Sequence, residues 1–191
     1  MSGYKYDTVS EQPPAPGGRL FFAAILLVGL ATIAFTLTFQ QAMKPNQTPS
    51  PLVAKPAPAI KVEGWLNGPG PTEDELRGKV IVLDAWAFWC DPCRAAAPEL
   101  IALERKYRDR GVVFLGLTSE GERQLAKSRR FIEATGITWP NGYGAVETLQ
   151  ALNADFIPQM WVIDRQNRIT WDVSSNEPIE SALDRALAET P

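Results

Sequence analysis

The chain has two cysteines, Cys90 and Cys93, in the segment Trp-Cys-Asp-Pro-Cys. This spacing occurs in zinc sites, covalent haem sites, short structural disulfides and redox-active dithiols. The chain has no histidine, so a tetrahedral zinc site is two ligands short and haem attachment lacks its histidine. A disulfide closing so short a loop removes little entropy from the unfolded chain. The pair therefore predicts redox chemistry without a metal or organic cofactor, with a structural bridge or an accidental pair as the remaining alternatives.

The position of the first cysteine favours a reactive thiol. An apolar run over residues 80–86 precedes the pair, and a helix-forming segment follows it. A helix that begins at Cys90 or Asp91 lowers the pKa of the Cys90 thiol through its unpaired N–H groups and its dipole. Pro92 suits the first turn of such a helix, and Cys93, one turn along, can resolve a mixed disulfide. The Asp91 carboxylate opposes a nearby thiolate, so the influences on the redox potential have opposite signs.

One segment departs from an otherwise soluble composition with 21% charged residues and a net charge of −3. Residues 20–39 contain no charged side chain, and a helix of about 20 residues spans the roughly 30 Å hydrocarbon core of a bilayer. This predicts one N-terminal transmembrane helix. A cleaved signal peptide is the alternative, but its apolar region is usually shorter, and no small-x-small cleavage site follows Phe39.

Four segments follow from this interpretation: a disordered tail over 1–19, the transmembrane helix over 20–39, a proline-rich linker over 40–58 and one domain over 59–191. Basic residues flank the apolar segment almost equally, so charge alone does not orient it. A short tail before a long domain is typical of an exported domain. We therefore expect a single-pass protein of the cytoplasmic (inner) membrane, held in the lipid bilayer by residues 20–39, with its domain in the periplasm or another extracytoplasmic space.

The domain alternates strand and helix patterns. Strands are predicted over 80–86 and 112–117, followed by a hairpin over 160–164 and 169–173. The predicted helices are a short one after the Thr72 capping box, then 90–110 with a kink at Pro98, 122–135, 145–153 and 179–188. This alternation predicts an α/β fold with a partly parallel central sheet and helices on both faces. Functional sites in such folds gather at the carboxyl ends of strands, where Cys90 lies.

The segments VIVLDAWAFWCDPCRAAAPEL and FIPQMWVIDRQNRI resemble the thioredoxin superfamily, and the resemblance covers about residues 56–191. A tryptophan before Cys-x-x-Cys, a proline five residues after it and an isoleucine-proline before a late strand form a specific combination. With the N-terminal anchor and the helix after the second strand, the chain looks like the membrane-anchored thiol:disulfide oxidoreductases of the TlpA, ResA and CcmG type. The resemblance implies a thioredoxin-like fold, with a central mixed sheet flanked by helices.

The same resemblance implies roles for individual residues. Cys90 would be the attacking cysteine, Cys93 the resolving one, and Pro158 a cis-proline, with an ordinary strand-entry proline as the alternative. The backbone of Ile157 would dock an incoming chain by strand-like pairing. The residues implied to dock substrate are Trp89, Pro92 and Ile157.

Asp84 matches the buried acidic residue that transfers protons in thioredoxins. An aspartate in so apolar a run is expected to have a raised pKa, although a strand-end aspartate satisfied by local partners is the alternative. Trp86 matches an aromatic position beside the disulfide and is also explained as a core residue. The chain departs from its relatives at Ala96, where several carry glutamate, and at Gln159, where threonine is common. These departures bear on partner choice and redox direction.

The leading hypothesis is a membrane-anchored extracytoplasmic enzyme that reduces disulfides in selected proteins, by resemblance during cytochrome c maturation, with a membrane or soluble electron donor. An oxidant or redox sensor using the same couple, or a non-catalytic membrane-tethered binding module, are the alternatives. A thiol peroxidase is disfavoured because its Pro-x-x-x-Thr-x-x-Cys signature meets Leu83 and Ala87 here. No nucleic-acid partner is expected, since the cluster Lys127, Arg129 and Arg130 is typical of a solvated helix face.

Overall fold

The structure, a computed structural model, describes Gly29 and residues 51–189. The predicted tail over 1–19, the predicted membrane helix over 20–39 except Gly29, and linker residues 40–50 lie outside the described residues. Within the described part of the chain, no helix has the length and apolarity that a membrane span requires. All described residues but Gly29 belong to one unit of the chain, Gln47–Pro191.

Strands and helices alternate along this unit. The strands are β1 (Gly64–Leu66), β2 (Val80–Ala85), β3 (Val112–Leu117), β4 (Asn141–Tyr143), β5 (Gln159–Ile163) and β6 (Ile169–Asp172). The α-helices are α1 (Glu73–Leu76), α2 (Asp91–Tyr107), α3 (Leu125–Thr135), α4 (Val146–Ala151) and α5 (Ile179–Ala188). Short 3₁₀ turns over Arg108–Arg110 and Glu122–Gln124 extend α2 and lead into α3. The Thr72 side chain and the Glu75 carboxylate form the predicted capping box of α1.

The strands form one mixed sheet in the order β1-β4-β3-β2-β5-β6. At its centre, β2 pairs in parallel with β3 and antiparallel with β5, and β5 and β6 form the predicted hairpin. The sequence patterns do not predict β1 and β4, which have three residues each and contain Gly64 and Gly142, a residue type of low strand propensity. These two strands form because β4 finds partners on both sides, β1 and β3.

The two faces of the sheet carry separate hydrophobic cores. Alternate residues of β2 point to opposite faces, as the strand period of two requires. Val80 and Val82 pack in the cluster that includes Leu100 of α2 and Phe131 of α3. The intervening residues of β2 join the second cluster, with Trp161 of β5. The continuous apolar run of β2 is thus explained by burial on both sides, which confirms the predicted layering.

The folded unit begins before the predicted boundary at residue 59. Ala54 donates a backbone hydrogen bond to the Ile169 carbonyl at 2.7 Å, and Ala57 donates to the Asn167 carbonyl at 2.8 Å. Leu52 packs against the second core and Ala57 is buried in it. Residues 51–57, the N-terminal strap, therefore belong to the domain, which corrects the linker prediction over 40–58. The prolines that suggest a linker are tolerated here because the strap is made of turns and one isolated bridge, between Pro56 and Arg168, and so requires few backbone N–H donors.

Candidate active site

The two cysteines lie at the N-terminus of α2, at the carboxyl end of β2. The helix begins at Asp91, as predicted, and Cys90 is its N-cap residue. The sulfurs of Cys90 and Cys93 form a disulfide, and the two side chains are 3% and 7% exposed. The Cys90 sulfur also accepts the backbone N–H of Cys93 at 3.1 Å. In the reduced state the same N–H group and the helix dipole would stabilise a Cys90 thiolate, because both favour negative charge at this position.

Trp89 stands exposed beside the disulfide, yet its ring is held in place. The side chain is 62% exposed, and its indole N–H donates to Oε1 of Glu120 at 2.9 Å. The other carboxylate oxygen of Glu120 accepts the Thr118 hydroxyl. Thr118 directly follows β3, which is the parallel neighbour of β2. Sequence reasoning missed Glu120, although the carboxyl ends of adjacent parallel strands meet at one edge and so bring the loops after β2 and β3 together.

The segment before β5 comes to the same end of the sheet. Gln159 is in register with Ala85, the last residue of β2. The peptide bond between Ile157 and Pro158 is cis, and Pro158 lines one cavity together with Cys93. Ile157 is half-buried and Pro92, in the first turn of α2, is exposed. The structure therefore brings together the residues that the resemblance named on either side of the disulfide.

Asp84 is a buried carboxyl group on the same side of the sheet. It follows Val80 and Val82 at the strand period of two, so it faces the core that contains the disulfide. Its side chain lines a cavity of about 270 Å³ with Cys93 and Pro158. Burial raises the pKa of Asp84 to about 7, because an ionised carboxylate loses its hydration there. The group is thus able to gain and lose a proton near neutral pH.

An aromatic stack supports the helix that carries the disulfide. Trp86 lies against Phe131 of α3, with ring centroids 4.7 Å apart and planes 8° from parallel. The Trp86 indole N–H donates to Oδ1 of the buried Asn141 at 2.9 Å. On the site side, the guanidinium carbon of Arg94 lies 5.0 Å from the centroid of the Phe131 ring. Trp86 therefore serves as a core residue, joining the end of β2 to α3 and β4.

Gln159, one of the departures from the family pattern, is buried at the start of β5. Within the described part of the chain, its Oε1 atom has no hydrogen-bond partner. Residues 51–189 also contain no group of three or more side chains suited to holding a metal ion. The titratable side chain that lines one cavity with Cys93 and Pro158 on the sheet side is Asp84.

Comparisons with known proteins agree with this geometry. Residues 52–187 match the model of the Redoxin family. The chain is 29% identical to a protein named thiol:disulfide interchange protein DsbE from Yersinia pestis, over 84% of this chain and 86% of that protein. It is 32% identical to the protein of the same name from Allochromatium vinosum, over 65% of this chain and 75% of that protein. A crystal structure titled a thiol-disulfide isomerase, from Corynebacterium glutamicum, has a TM-score of 0.61 at 23% identity, covering 71% of this chain and 97% of that one. The structural similarity confirms the predicted thioredoxin-like fold.

Proposed function

We propose a cellular role for this chain from the premise that it belongs to the Redoxin family and is a thiol:disulfide oxidoreductase. The role is that of a disulfide reductase for selected proteins, attached to the cytoplasmic membrane through residues 20–39 and working on the extracytoplasmic side. The observation that carries the proposal is the Cys90–Cys93 disulfide at a helix N-terminus, beside the exposed Trp89. The charge-free segment 20–39 supports the membrane attachment.

The reaction begins from the reduced protein. The Cys90 thiolate attacks one sulfur of a substrate disulfide, whose S–S bond breaks as the other sulfur leaves and takes a proton from solvent. The Cys93 thiol then loses its proton and attacks the Cys90 sulfur, which forms the Cys90–Cys93 disulfide and releases the second substrate thiolate to be protonated. Two electrons pass from the dithiol to the substrate. An external dithiol donor returns them in each cycle.

Asp84 accepts the proton that Cys93 loses. Both side chains line the same cavity of about 270 Å³, so a water molecule can link them without bulk solvent. A carboxyl group with a pKa of about 7 is partly ionised at neutral pH and therefore accepts a proton and returns it within one cycle. Pro158 lines the same cavity, and the backbone of Ile157, which precedes it, is the surface on which the substrate chain would dock.

The resemblance to TlpA, ResA and CcmG-type proteins extends the proposal to a pathway. We take the substrates to be proteins whose cysteines must be reduced before haem attachment, during cytochrome c maturation. The exposed Trp89, held by Glu120, presents a fixed apolar surface beside the sulfurs.

Replacement of Cys93 by serine is expected to trap substrates covalently. The Cys90 thiolate still forms the mixed disulfide, but the serine hydroxyl cannot displace it. The full-length variant is expressed in intact cells, thiols are blocked with acid and an alkylating reagent, and adducts are detected as reducible bands on non-reducing gels. We expect several discrete adducts, and the captured proteins to be exported ones.

The matched controls are Cys90→Ser and the double replacement of both cysteines by serine. Neither control is expected to form adducts, because the attacking sulfur at the helix N-terminus is missing from both. Absence of adducts in Cys93→Ser, with Cys90 shown by alkylation to be reduced, would contradict the mechanism. Full biological function of the double variant would favour a non-catalytic binding module instead.

A further inference from the structure

Two cations lie next to residues 88–93, the segment that carries the cysteines, and each is held against an aromatic ring. The guanidinium of Arg94, in the first turn of α2, lies over Phe131 of α3 with its carbon 5.0 Å from the ring centroid. The ammonium of Lys127, one turn before Phe131 on α3, lies 5.0 Å from the centroid of the Phe88 ring. The ring face attracts the cation, which favours the positions that these two charges occupy.

A third cation extends this surface. Arg130 is three residues after Lys127 on α3, a spacing that places both on one flank of the helix. Both side chains are exposed, as is Arg94. These three residues, Arg94, Lys127 and Arg130, form what we call the basic seam, which follows the junction of α2 and α3. Lys127, one member of the cluster that the sequence suggests to be a solvated face, thus contacts Phe88, two residues before Cys90.

The basic seam has no acidic partner among residues 51–189. Some arginines elsewhere in this part of the chain are paired, as in the bridges from Arg110 to Asp184 at 2.8 Å and from Arg185 to Glu177 at 2.6 Å. No carboxylate of the described residues lies within the 4 Å of an ion pair from the three seam cations. Their charge is therefore available to an incoming molecule.

The basic seam borders the disulfide. Arg94 directly follows Cys93, and Phe88, beneath Lys127, is two residues before Cys90. Carboxylates also lie near this region. Glu120 accepts hydrogen bonds from the Trp89 indole and the Thr118 hydroxyl, and Asp91 is exposed in the first turn of α2. Glu63 and Glu122 meet in the loop before α3, where the Glu63 carboxylate accepts the Glu122 backbone N–H. The cations thus lie next to the cysteine segment, on the α2 and α3 side of the surface that a docking protein meets.

We infer that the basic seam selects substrate proteins that carry an acidic segment next to their reactive disulfide. The inference rests on the proposed reductase function and adds a specificity to it. Positive charges fixed beside a reactive group raise the association rate of an oppositely charged partner, and the gain falls as salt screens it. The thiol–disulfide exchange follows the same steps with either kind of partner, and the seam adds its selectivity at encounter and docking.

The test compares two synthetic peptides with the same single disulfide, one flanked by aspartate and glutamate and the other by serine and glycine. The reduced full-length chain is mixed with each peptide, and oxidation of the dithiol is followed by tryptophan fluorescence, for which Trp89 beside the sulfurs is a natural reporter. We expect the acidic peptide to react about tenfold faster at low salt and less than about twofold faster in 0.5 M salt.

Charge variants assign the effect to the seam. The double variant Arg94→Gln with Lys127→Gln removes two seam charges. Its matched control, Lys79→Gln with Arg105→Gln, removes two exposed charges at the start of β2 and in the last turn of α2, away from the disulfide. We expect the ratio of the two rates to fall to about two in the seam variant and to stay near ten in the control.

Two results would overturn the inference while the reductase function stands: equal rates for both peptides with the wild-type chain, or an equal loss of preference in both double variants. The neutral peptide separates these results from a failure of the proposed function. If the reduced wild-type chain oxidises with neither peptide, the function and the inference fail together. If Arg94→Gln changes the reactivity of the dithiol itself, the rates with both peptides change by the same factor, and the ratio of the acidic-peptide rate to the neutral-peptide rate is unaffected.

Discussion

Replacement of Asp84 by asparagine is expected to stabilise the domain by about 4 kcal/mol above pH 7. Burial raises the pKa of this carboxyl from 3.8 to about 7, and each pKa unit corresponds to about 1.4 kcal/mol. The folded protein therefore holds the proton more tightly than the unfolded chain does. An asparagine has nearly the same shape as the neutral acid and never has to be buried as an anion.

The sign of the pH dependence follows from proton linkage. Because the folded state binds more protons than the unfolded state between about pH 4 and pH 7, wild-type stability falls as pH rises through this window and levels off above it. The asparagine variant lacks this contribution. The difference between the two proteins should be small at pH 4 and should grow to its full value near pH 8.

Urea unfolding of the oxidised proteins at pH 4, 5.5, 7 and 8 measures this difference. A matched control is Asp164→Asn, the same substitution at a buried aspartate that accepts hydrogen bonds from the Gln166 and Arg168 backbones and pairs with the Arg168 side chain. That variant is expected to lose stability at neutral pH, since it gives up an ion pair. Stability curves of wild type and Asp84→Asn that run parallel across pH would contradict the prediction for Asp84.

The same variant should be slower in the resolving step. If Asp84 accepts the Cys93 proton, asparagine removes a general base, and such bases typically contribute about 10²-fold or more. Attack by Cys90 should change little. Quenched-flow gels that follow the appearance and decay of the mixed disulfide separate the two steps, and a purely structural role for Asp84 would leave the decay rate unchanged.

Replacement of Gly116 by alanine is expected to destabilise the domain by about 3 kcal/mol. An added Cβ would lie 1.8 Å from Oδ1 of Asn141 and 2.8 Å from Nε1 of Trp86, the two atoms of a buried hydrogen bond. Neither side chain has free space into which to move, because Trp86 is stacked on Phe131 and Asn141 is fully buried. Overpacking and a lost buried hydrogen bond cost about 1–3 kcal/mol each.

Gly121→Ala is the matched control for this substitution. Its added Cβ would come within 2.8 Å of the Glu63 carboxylate, which is the far end of a flexible side chain. The φ angle of −93° at Gly121 is open to alanine. We expect a loss below about 1 kcal/mol, measured by urea unfolding with near-ultraviolet circular dichroism as the probe of Trp86. Equal losses at both positions would refute the role assigned to the Trp86–Asn141 contact.

Local sequence patterns are sufficient to predict strand β2 and the start of helix α2. The unbroken apolar run of β2 requires burial on both faces, and Cys90 with Pro92 marks the start of α2. Strands β1 and β4 gave no such signal, since their three residues are ordered by partners elsewhere in the chain. The sequence pattern predicts a domain that begins at residue 59, and the structure has it begin earlier, because the prolines of the N-terminal strap have the composition of a linker.

The residues of the site also divide into those that a sequence pattern or the resemblance predicts and those that only the folded structure brings together. The resemblance supplied Pro158 and Asp84, and burial explains the raised pKa of Asp84 in physical terms. The contact from Trp89 to Glu120 joins residues 31 apart in sequence, so no local pattern encodes it. From the sequence, Arg94 and Lys127 are recognised only as positive charges. Their position beside the cysteine segment depends on the Phe131 and Phe88 rings, which the fold brings next to them.

The N-terminal strap lies at one end of the sheet. It bonds to Asn167 and Ile169, and Ile169 is in register with Ile163, at the end of the sheet away from the cysteines. A six-residue strand is about 20 Å long, so the strap and the disulfide lie at opposite ends of the sheet. In the membrane attachment that we propose, the chain would therefore enter the domain at the end remote from Cys90 and leave the disulfide end open to partner proteins.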